Sequence, residues 1–205
     1  MPDRAAATAA SAGPEAAGSA DDDVLAALDR GDVRGAVGLL MSRYGAGVYR
    51  YCRQMVGDDV LADDVQQQVF VQAFRDLARF ERRSSLRTWL FGIARHRALD
   101  AIKIEGRRGR RFPLDEQPGV EDEAADASAL EKISQAEMVR ALERCLEELA
   151  PAAKSAVLLR FREEFRYEEM AIMAGEKPGT LQARVARALP VLRKCIERRL
   201  TDEAV

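Results

Sequence analysis

The sequence predicts an all-α protein of two helical domains joined by an acidic linker. Apolar residues recur every three or four positions along most of the chain, the spacing that lines one face of an α-helix. No segment alternates with period two for long enough to form a strand. Hydrophobic residues make up 47% of the 205 positions, enough for a buried core. A stretch at 113–130, rich in acids and containing prolines and a glycine but no aromatic residue, divides the chain.

The first domain is expected to contain three helices. Gly57 ends the first of them, because glycine adopts the left-handed conformation of a helix C-terminus without strain. Asp58 or Asp59 is a suitable N-cap for the second helix, and Ser84 or Ser85 for the third. The first apolar stripe is expected to hold Val33, Val37, Leu40, Tyr44, Val48, Cys52 and Met55, and the second Leu61, Val65, Val69, Ala73 and Leu77, widened by Phe70 and Phe74. On the third helix, Leu86, Leu90, Ile93, Arg97 and Ala101 are expected to share one face, with Trp89 beside it.

The second domain is expected to begin with an amphipathic helix at 133–149. Pro151 suits the first turn of the next helix, because the N–H that proline lacks would be unbonded there anyway. A short helix at 167–173, a tight glycine-containing turn at 174–177 and a longer basic helix from Pro178 follow. The short helix, the turn and the basic helix together make a helix-turn-helix pattern.

Charge divides the chain in the same places. The net charge is only −2, but residues 24–111 hold 17 basic and 10 acidic side chains, and residues 138–200 hold 13 and nine. Two basic blocks flanked by acidic segments indicate a polyanion as partner. We therefore assign a disordered Ala-rich tail to 1–23, the first domain to 24–111, the acidic linker to 112–132 and the second domain to 133–200.

The composition argues against an enzyme, a metal centre and a membrane protein. There is no glycine-rich phosphate loop, and His96 is the one histidine, so we expect no catalytic residue, no metal and no cofactor. Cys52, Cys145 and Cys195 are odd in number and form no CxxC motif, which argues against a disulfide framework. Cys52 and Cys195 are interpreted as buried thiols. No apolar run approaches the ~20 residues that span a bilayer, so we expect no membrane insertion and a cytoplasmic protein.

The helix from Pro178 carries candidate residues for binding duplex DNA. In a helix-turn-helix the second helix lies in the major groove, with its N-terminal residues at the base edges. Arginine can bond guanine bidentately and glutamine can bond adenine, while lysine contacts phosphates. An ordinary solvated charged face is the alternative interpretation. The candidates are Lys177, Thr180, Gln182, Ala183, Arg184 and Arg187.

A second basic surface is expected in the first domain, beside Trp89. A basic groove with an aromatic side chain is how proteins hold single strands, because bases stack on the ring and phosphates meet the cations. Trp89 borders an apolar stripe, so it is either such a platform or part of the core. The basic candidates are Arg82, Arg83, Arg95, His96, Arg97 and Lys103.

These segments match a known family. The motifs DDVQQQVF at 63–70 and SLRTWLFGIARHRALD at 85–100 closely resemble region 2 of bacterial sigma factors, of the extracytoplasmic-function (ECF) group. The motifs VLLRF at 157–161, YEEMA at 167–171 and PGTLQAR at 178–184 resemble region 4 of the same group. The resemblance covers most of the chain outside the tail and the linker.

The resemblance implies an alternative sigma factor that binds core RNA polymerase, recognises promoter DNA and has no catalytic site. The first motif would dock on the clamp helices of the polymerase β′ subunit, and the β flap is a further implied contact. The loop at 80–85 would capture a flipped base of the −10 element, and the helix from Pro178 would read the −35 element. Members are commonly held inactive by an anti-sigma factor, a further expected partner. The implied docking residues are Asp63, Asp64, Gln67, Gln68 and Phe70, and Ser84, Ser85 and Trp89 join the basic candidates at the −10 element.

Four residues at three places in the chain depart from the family pattern. Gln68 stands where the family usually has an acid, His96 where it usually has Asn, and Gln182-Ala183 where it usually has Lys-Ser. The −35 sequence is therefore not predictable by analogy. Two other functions are kept as alternatives: a helix-turn-helix regulator that does not bind polymerase, and a protein-interaction module that uses the acidic segments.

Overall fold

The computed structural model describes residues 15–107 and 134–202, with side chains from Asp21 to Thr201 within those ranges. The expected acidic linker and residues 1–14 of the expected tail lie outside the described residues. The all-α prediction is confirmed, and the described residues contain no strand. The helices are α1 (Glu15–Asp29), α2 (Val33–Val56), α3 (Asp59–Asp76), α4 (Leu86–Arg107), α5 (Gln135–Glu147), α6 (Pro151–Val157), α7 (Tyr167–Ala174) and α8 (Pro178–Asp202), with a 3-10 turn at Leu77–Arg79 and a π-helical turn at Leu158–Arg162.

Helix α1 begins at Glu15, inside the tail that was expected to be disordered through residue 23. The segment lacks large side chains, but alanine is the strongest helix former. Contacts with α2 also hold the helix in place: the Asp21 carboxylate accepts hydrogen bonds from Tyr44 Oη at 2.7 Å and from Arg43 Nη1 at 3.3 Å. Ordered structure therefore starts earlier than the composition indicated.

Helices α2, α3 and α4 pack around a shared apolar core, and their ends follow the predicted signals. Gly57 has a φ of 74° and closes α2. The Asp58 carboxylate caps α3 by accepting from the Leu61 N–H at 2.9 Å. Ser85 caps α4, because its Oγ accepts from the Thr88 N–H at 3.0 Å.

A disulfide joins Cys145 of α5 to Cys195 of α8, with the two Cα atoms 5.8 Å apart. The interpretation of Cys195 as a buried thiol was therefore wrong. The two helices pack side by side and bring together residues 50 positions apart, which no local spacing reports. Cys52 is a free, buried cysteine as predicted, and burial raises the pKa of its thiol to about 12.

The two domains pack against each other, with α4 lying on α7, and one apolar core runs through both. Phe91 of α4 meets the ring of Phe165 edge-on, with centroids 5.1 Å apart. The Arg87 guanidinium lies over the same Phe165 ring, 4.0 Å from its centroid. Tyr51 Oη and Ser155 Oγ, both buried, form a hydrogen bond of 2.8 Å across the contact. We call this packing the closed arrangement.

Lys154 is a buried cation at the same contact. Its side chain is 6% exposed, and its ammonium group donates a long hydrogen bond of 3.4 Å to the Met55 carbonyl. Burial lowers the pKa of Lys154 from 10.5 to about 8. The folded protein therefore binds fewer protons than the unfolded chain between about pH 8 and pH 10.5, so its stability rises with pH across that window.

Replacing Lys154 by Met is expected to raise the free energy of unfolding at neutral pH by about 2–3 kcal/mol, because a side chain of similar length is buried without a charge. The gain should shrink above about pH 8, where the lysine loses its proton. Urea unfolding at neutral pH and near pH 10 measures both effects. Lys194→Met, at an exposed position, is the control and should change stability by no more than about 0.5 kcal/mol. Equal stability of Lys154→Met and wild type at neutral pH would contradict the prediction.

Candidate nucleic-acid interface

Lys177 lies in the turn before α8, and the other five candidates for duplex binding lie in the first three turns of the helix. Leu181 and Val185 are buried and fix the helix against the rest of the domain. The turn before it is possible because Gly175 takes a φ of 67°, a left-handed conformation that glycine adopts without strain. Four candidates are exposed and two are half-buried; the exposed ones are Lys177, Thr180, Gln182 and Arg187, and the half-buried ones are Ala183 and Arg184.

Arg184 already has a protein partner. Its two terminal nitrogens donate to the two carboxylate oxygens of Glu176 at 2.9 and 2.7 Å. Such a bidentate pair is among the stronger charge-assisted contacts in proteins, and hydrogen bonding from Arg184 holds the pKa of Glu176 below its usual range. A base edge would have to replace this partner.

The loop at 80–85 contacts α4 on one side and α1 on the other. The Phe80 ring packs on Trp89, with centroids 5.5 Å apart, and Trp89 is half-buried against the core. Arg82 takes a φ of 56°, which is uncommon for a residue with a side chain, and it donates a hydrogen bond to Asp29 at the end of α1. The α1 helix therefore reaches the loop that the family resemblance assigns to base capture.

A cavity of about 380 Å³ opens between this loop, α4 and α7. Its lining combines hydroxyl, imidazole and guanidinium groups with an aromatic ring and apolar side chains. Those are the groups needed to hold an unstacked base by hydrogen bonds and stacking. The lining residues include Ser84, Trp89, His96, Arg97, Ile172 and Met173.

The basic residues predicted to meet the −10 element differ in their exposure to solvent. His96 and Lys103 are exposed on α4. The Arg95 side chain is only 11% exposed, and its Nη2 lies 3.8 Å from Glu176 Oε1. The closed arrangement therefore covers one predicted DNA contact with the turn that precedes α8. The others have protein partners nearby: Arg82 with Asp29, Arg83 with Glu81, and Arg97 with Gln72.

A groove of about 690 Å³ runs along α3. Four of the five predicted docking residues line it, with Phe70 largely buried; they are Asp63, Asp64, Gln67 and Phe70. Gln68 is exposed on α3 outside the lining. Phe74 was expected to widen the core stripe, but its side chain is 48% exposed and lines the groove with Met41 and Val71. Residue spacing cannot distinguish a position at the edge of the core from a position that lines an exposed groove, because both lie beside the same apolar stripe.

Within the described ranges 15–107 and 134–202, no three side chains among His, Cys, Asp and Glu lie close enough together to bind a metal ion. No helix in those ranges is both long and apolar enough to cross a bilayer.

Comparisons with known proteins show the family to which the chain belongs. The family model of Sigma-70 region 2 matches residues 40–108, and that of Sigma-70 region 4 matches residues 139–189. The ECF RNA polymerase sigma factor SigD of Mycobacterium tuberculosis is 31% identical over 189 residues, which cover 90% of this chain and 84% of that protein. The ECF RNA polymerase sigma-E factor of Escherichia coli is 30% identical over 178 residues, or 82% of this chain and 90% of that protein.

Two solved structures share the fold. The sigma factor RpoE of Bartonella quintana, in complex with the anti-sigma factor NepR, matches with a TM-score of 0.58 and 20% identity over 77% of this chain and 94% of that one. CnrH, in complex with the cytosolic domain of CnrY, matches with a TM-score of 0.57 and 22% identity over 87% of this chain and 98% of that one. At these identities the matches bear on the fold alone.

Proposed function

Because the chain belongs to the extracytoplasmic-function group of the sigma-70 family, we propose that it binds core RNA polymerase with α3 and reads two promoter elements with α4 and α8. The chain is an alternative sigma factor, and its role is to direct transcription initiation. The polymerase sites would be the β′ clamp helices and the β flap. We place the protein in the cytoplasm, where it meets polymerase, and assign it no catalytic step.

The observation that carries the proposal is that one chain has three separate surfaces, each of which suits a different partner. The α3 groove combines carboxylates with exposed apolar side chains, which suits a protein partner. The α4 cavity suits an unstacked base, and the start of α8 suits the major groove of a duplex. A regulator that only bound duplex would need neither the groove nor the cavity. We also propose an anti-sigma factor as a further partner, of the kind that NepR is for the sigma factor RpoE of Bartonella quintana.

Transcription with core polymerase tests the proposal. The purified chain and core polymerase are incubated with a library of genomic fragments, and the transcripts are sequenced. We expect start sites that share one −10 and one −35 sequence. A helix-turn-helix regulator would bind duplex fragments and produce no specific transcripts, and an interaction module would do neither.

Replacing Asp63 and Asp64 together by Lys is expected to weaken core polymerase binding roughly tenfold or more, because two exposed carboxylates of the docking groove change sign. Favourable interaction with the helix dipole is a weak alternative role for them, because α3 begins at Asp59 and the dipole effect fades beyond the first turn. Affinity for core polymerase is measured by fluorescence anisotropy, and circular dichroism checks the fold.

The matched control replaces Asp22 and Glu143 by Lys. Both are exposed, both lie outside the α3 groove, and the change in net charge is the same. The control should bind core polymerase like wild type. Equal weakening by both double variants would mean that net charge, and not the α3 groove, controls docking.

A further inference from the structure

Glu176 stands between the two surfaces that the proposed function assigns to promoter DNA. It lies in the turn that joins α7 to α8, and its side chain is 27% exposed. Its Oε1 atom accepts a hydrogen bond from Arg184 of α8 at 2.9 Å and lies 3.8 Å from Nη2 of Arg95 on α4. One carboxylate therefore serves an arginine from the predicted −35 surface and an arginine from the predicted −10 surface.

Other contacts between α7 and α4 lie beside this one. Glu169 of α7 accepts a hydrogen bond from Thr88 Oγ1 at 3.2 Å. Gly92 faces α7, and a Cβ atom there would be in ordinary van der Waals contact with the Met173 Cα, at 3.6 Å. Of these contacts, the one made by Glu176 places a negative charge against two cations that are predicted to meet DNA. Glu176 is thus the group that DNA would have to replace at both arginines, through a phosphate or a base edge.

Resting on the proposed function, we propose that Glu176 couples the two DNA-reading surfaces of the free sigma factor. Its carboxylate is the shared counter-ion of Arg95 and Arg184, so DNA binding at either surface must displace the same group. Arginine keeps its charge at all relevant pH values, and its contribution to DNA affinity comes from replacing the counter-ions of phosphates. An arginine that must first leave a protein carboxylate contributes less. Glu176 is in this sense a positioning residue, which acts on DNA through the two arginines.

The geometry gives the coupling a direction. Arg95 is covered by the turn that contains Glu176, so it becomes available when α7 moves away from α4. Arg184 keeps its bidentate partner for as long as the turn retains its shape. Opening the closed arrangement would first separate Arg95 from Glu176. Arg184 would remain bound to Glu176. The −10 surface thus depends on the position of the second domain, while the −35 surface depends on the turn itself.

Glu176→Gln in the full-length protein, without polymerase, tests the proposal. Glutamine keeps the shape and can still accept a hydrogen bond, but it carries no charge. The probes are a short random-sequence duplex and a short random-sequence single strand, because the electrostatic part of DNA binding, which removal of the carboxylate charge strengthens, does not depend on base sequence. We expect both affinities to rise about fivefold or more at low salt. Unchanged affinity for both probes would overturn the inference.

Glu168→Gln is the charge-matched control, since Glu168 is exposed on α7 and lies in the same helix-turn-helix. An equal gain in Glu168→Gln would overturn the inference, because net charge alone would then explain the result. Glu176→Gln is also combined with Arg95→Gln and with Arg184→Gln. The gain should fall in both backgrounds. A gain that persists in full with Arg95→Gln would mean that Glu176 serves Arg184 alone.

Wild-type transcription with core polymerase is scored separately. A chain that transcribes from specific promoters but shows no effect of Glu176→Gln keeps the proposed function and loses this inference. A chain that produces no specific transcripts loses the proposed function itself.

Discussion

Replacing Phe165 by Ala is expected to lower the free energy of unfolding of the closed arrangement by about 3–5 kcal/mol, the usual cost of deleting a fully buried phenylalanine ring. Phe165 is 0% exposed although it lies between two helices rather than inside one. Its ring has Phe91 at its edge and the Arg87 guanidinium over its face. Both partners belong to α4, so the cavity would open at the contact between the two domains.

Urea unfolding measures the loss, and small-angle scattering reports whether the domains separate. Phe161→Ala is the matched control, because Phe161 lies four positions earlier and its side chain is 56% exposed. The control should change stability by no more than about 0.5 kcal/mol. A Phe165→Ala variant as stable and as compact as the control would mean that the domain contact contributes little.

The separate helices were predictable because their signals are local. Apolar spacing reports which residues share a helical face, and caps report where the backbone turns. The predicted roles of Gly57, Pro151 and Pro178 agree with the observed ends of α2, α6 and α8. The start of α1 was missed because alanine occurs both in tails and in helices. Composition cannot separate the two when the deciding contact is made by residues further along α2.

The closed arrangement could not be predicted, because it depends on residues that are distant in sequence. Phe165 and Phe91 belong to different domains, and neither belongs to a pattern that points to the other. Glu176 lies in a predicted turn, and no local pattern indicates its contacts with Arg95 and Arg184. Local sequence motifs predict the two surfaces, but only the folded structure shows that Glu176 is a counter-ion for both.

Reduction of the Cys145–Cys195 disulfide is expected to lower the stability of the second domain by about 4 kcal/mol. A cross-link between residues 50 positions apart removes chain entropy from the unfolded state, and the stabilisation grows with the length of the closed loop. The loop contains α6, the π-helical turn and α7, so α5 and the end of α8 enclose the whole helix-turn-helix. Cys145→Ser and Cys195→Ser should each reproduce the loss without reductant.

Thiol titration under denaturing conditions first establishes the redox state of the purified chain. The oxidised protein should expose one thiol, that of Cys52, and the reduced protein all three. Urea unfolding with and without dithiothreitol then measures the loss in a Cys52→Ala background, which removes the remaining thiol from exchange. The effect of dithiothreitol should persist in that background and vanish in Cys195→Ser. Identical unfolding with and without dithiothreitol, in a chain that titrates as oxidised, would show that the packing of α5 on α8 is sufficient without the cross-link. The apolar side chains between those helices would then account for the stability of the domain that presents the start of α8 to DNA.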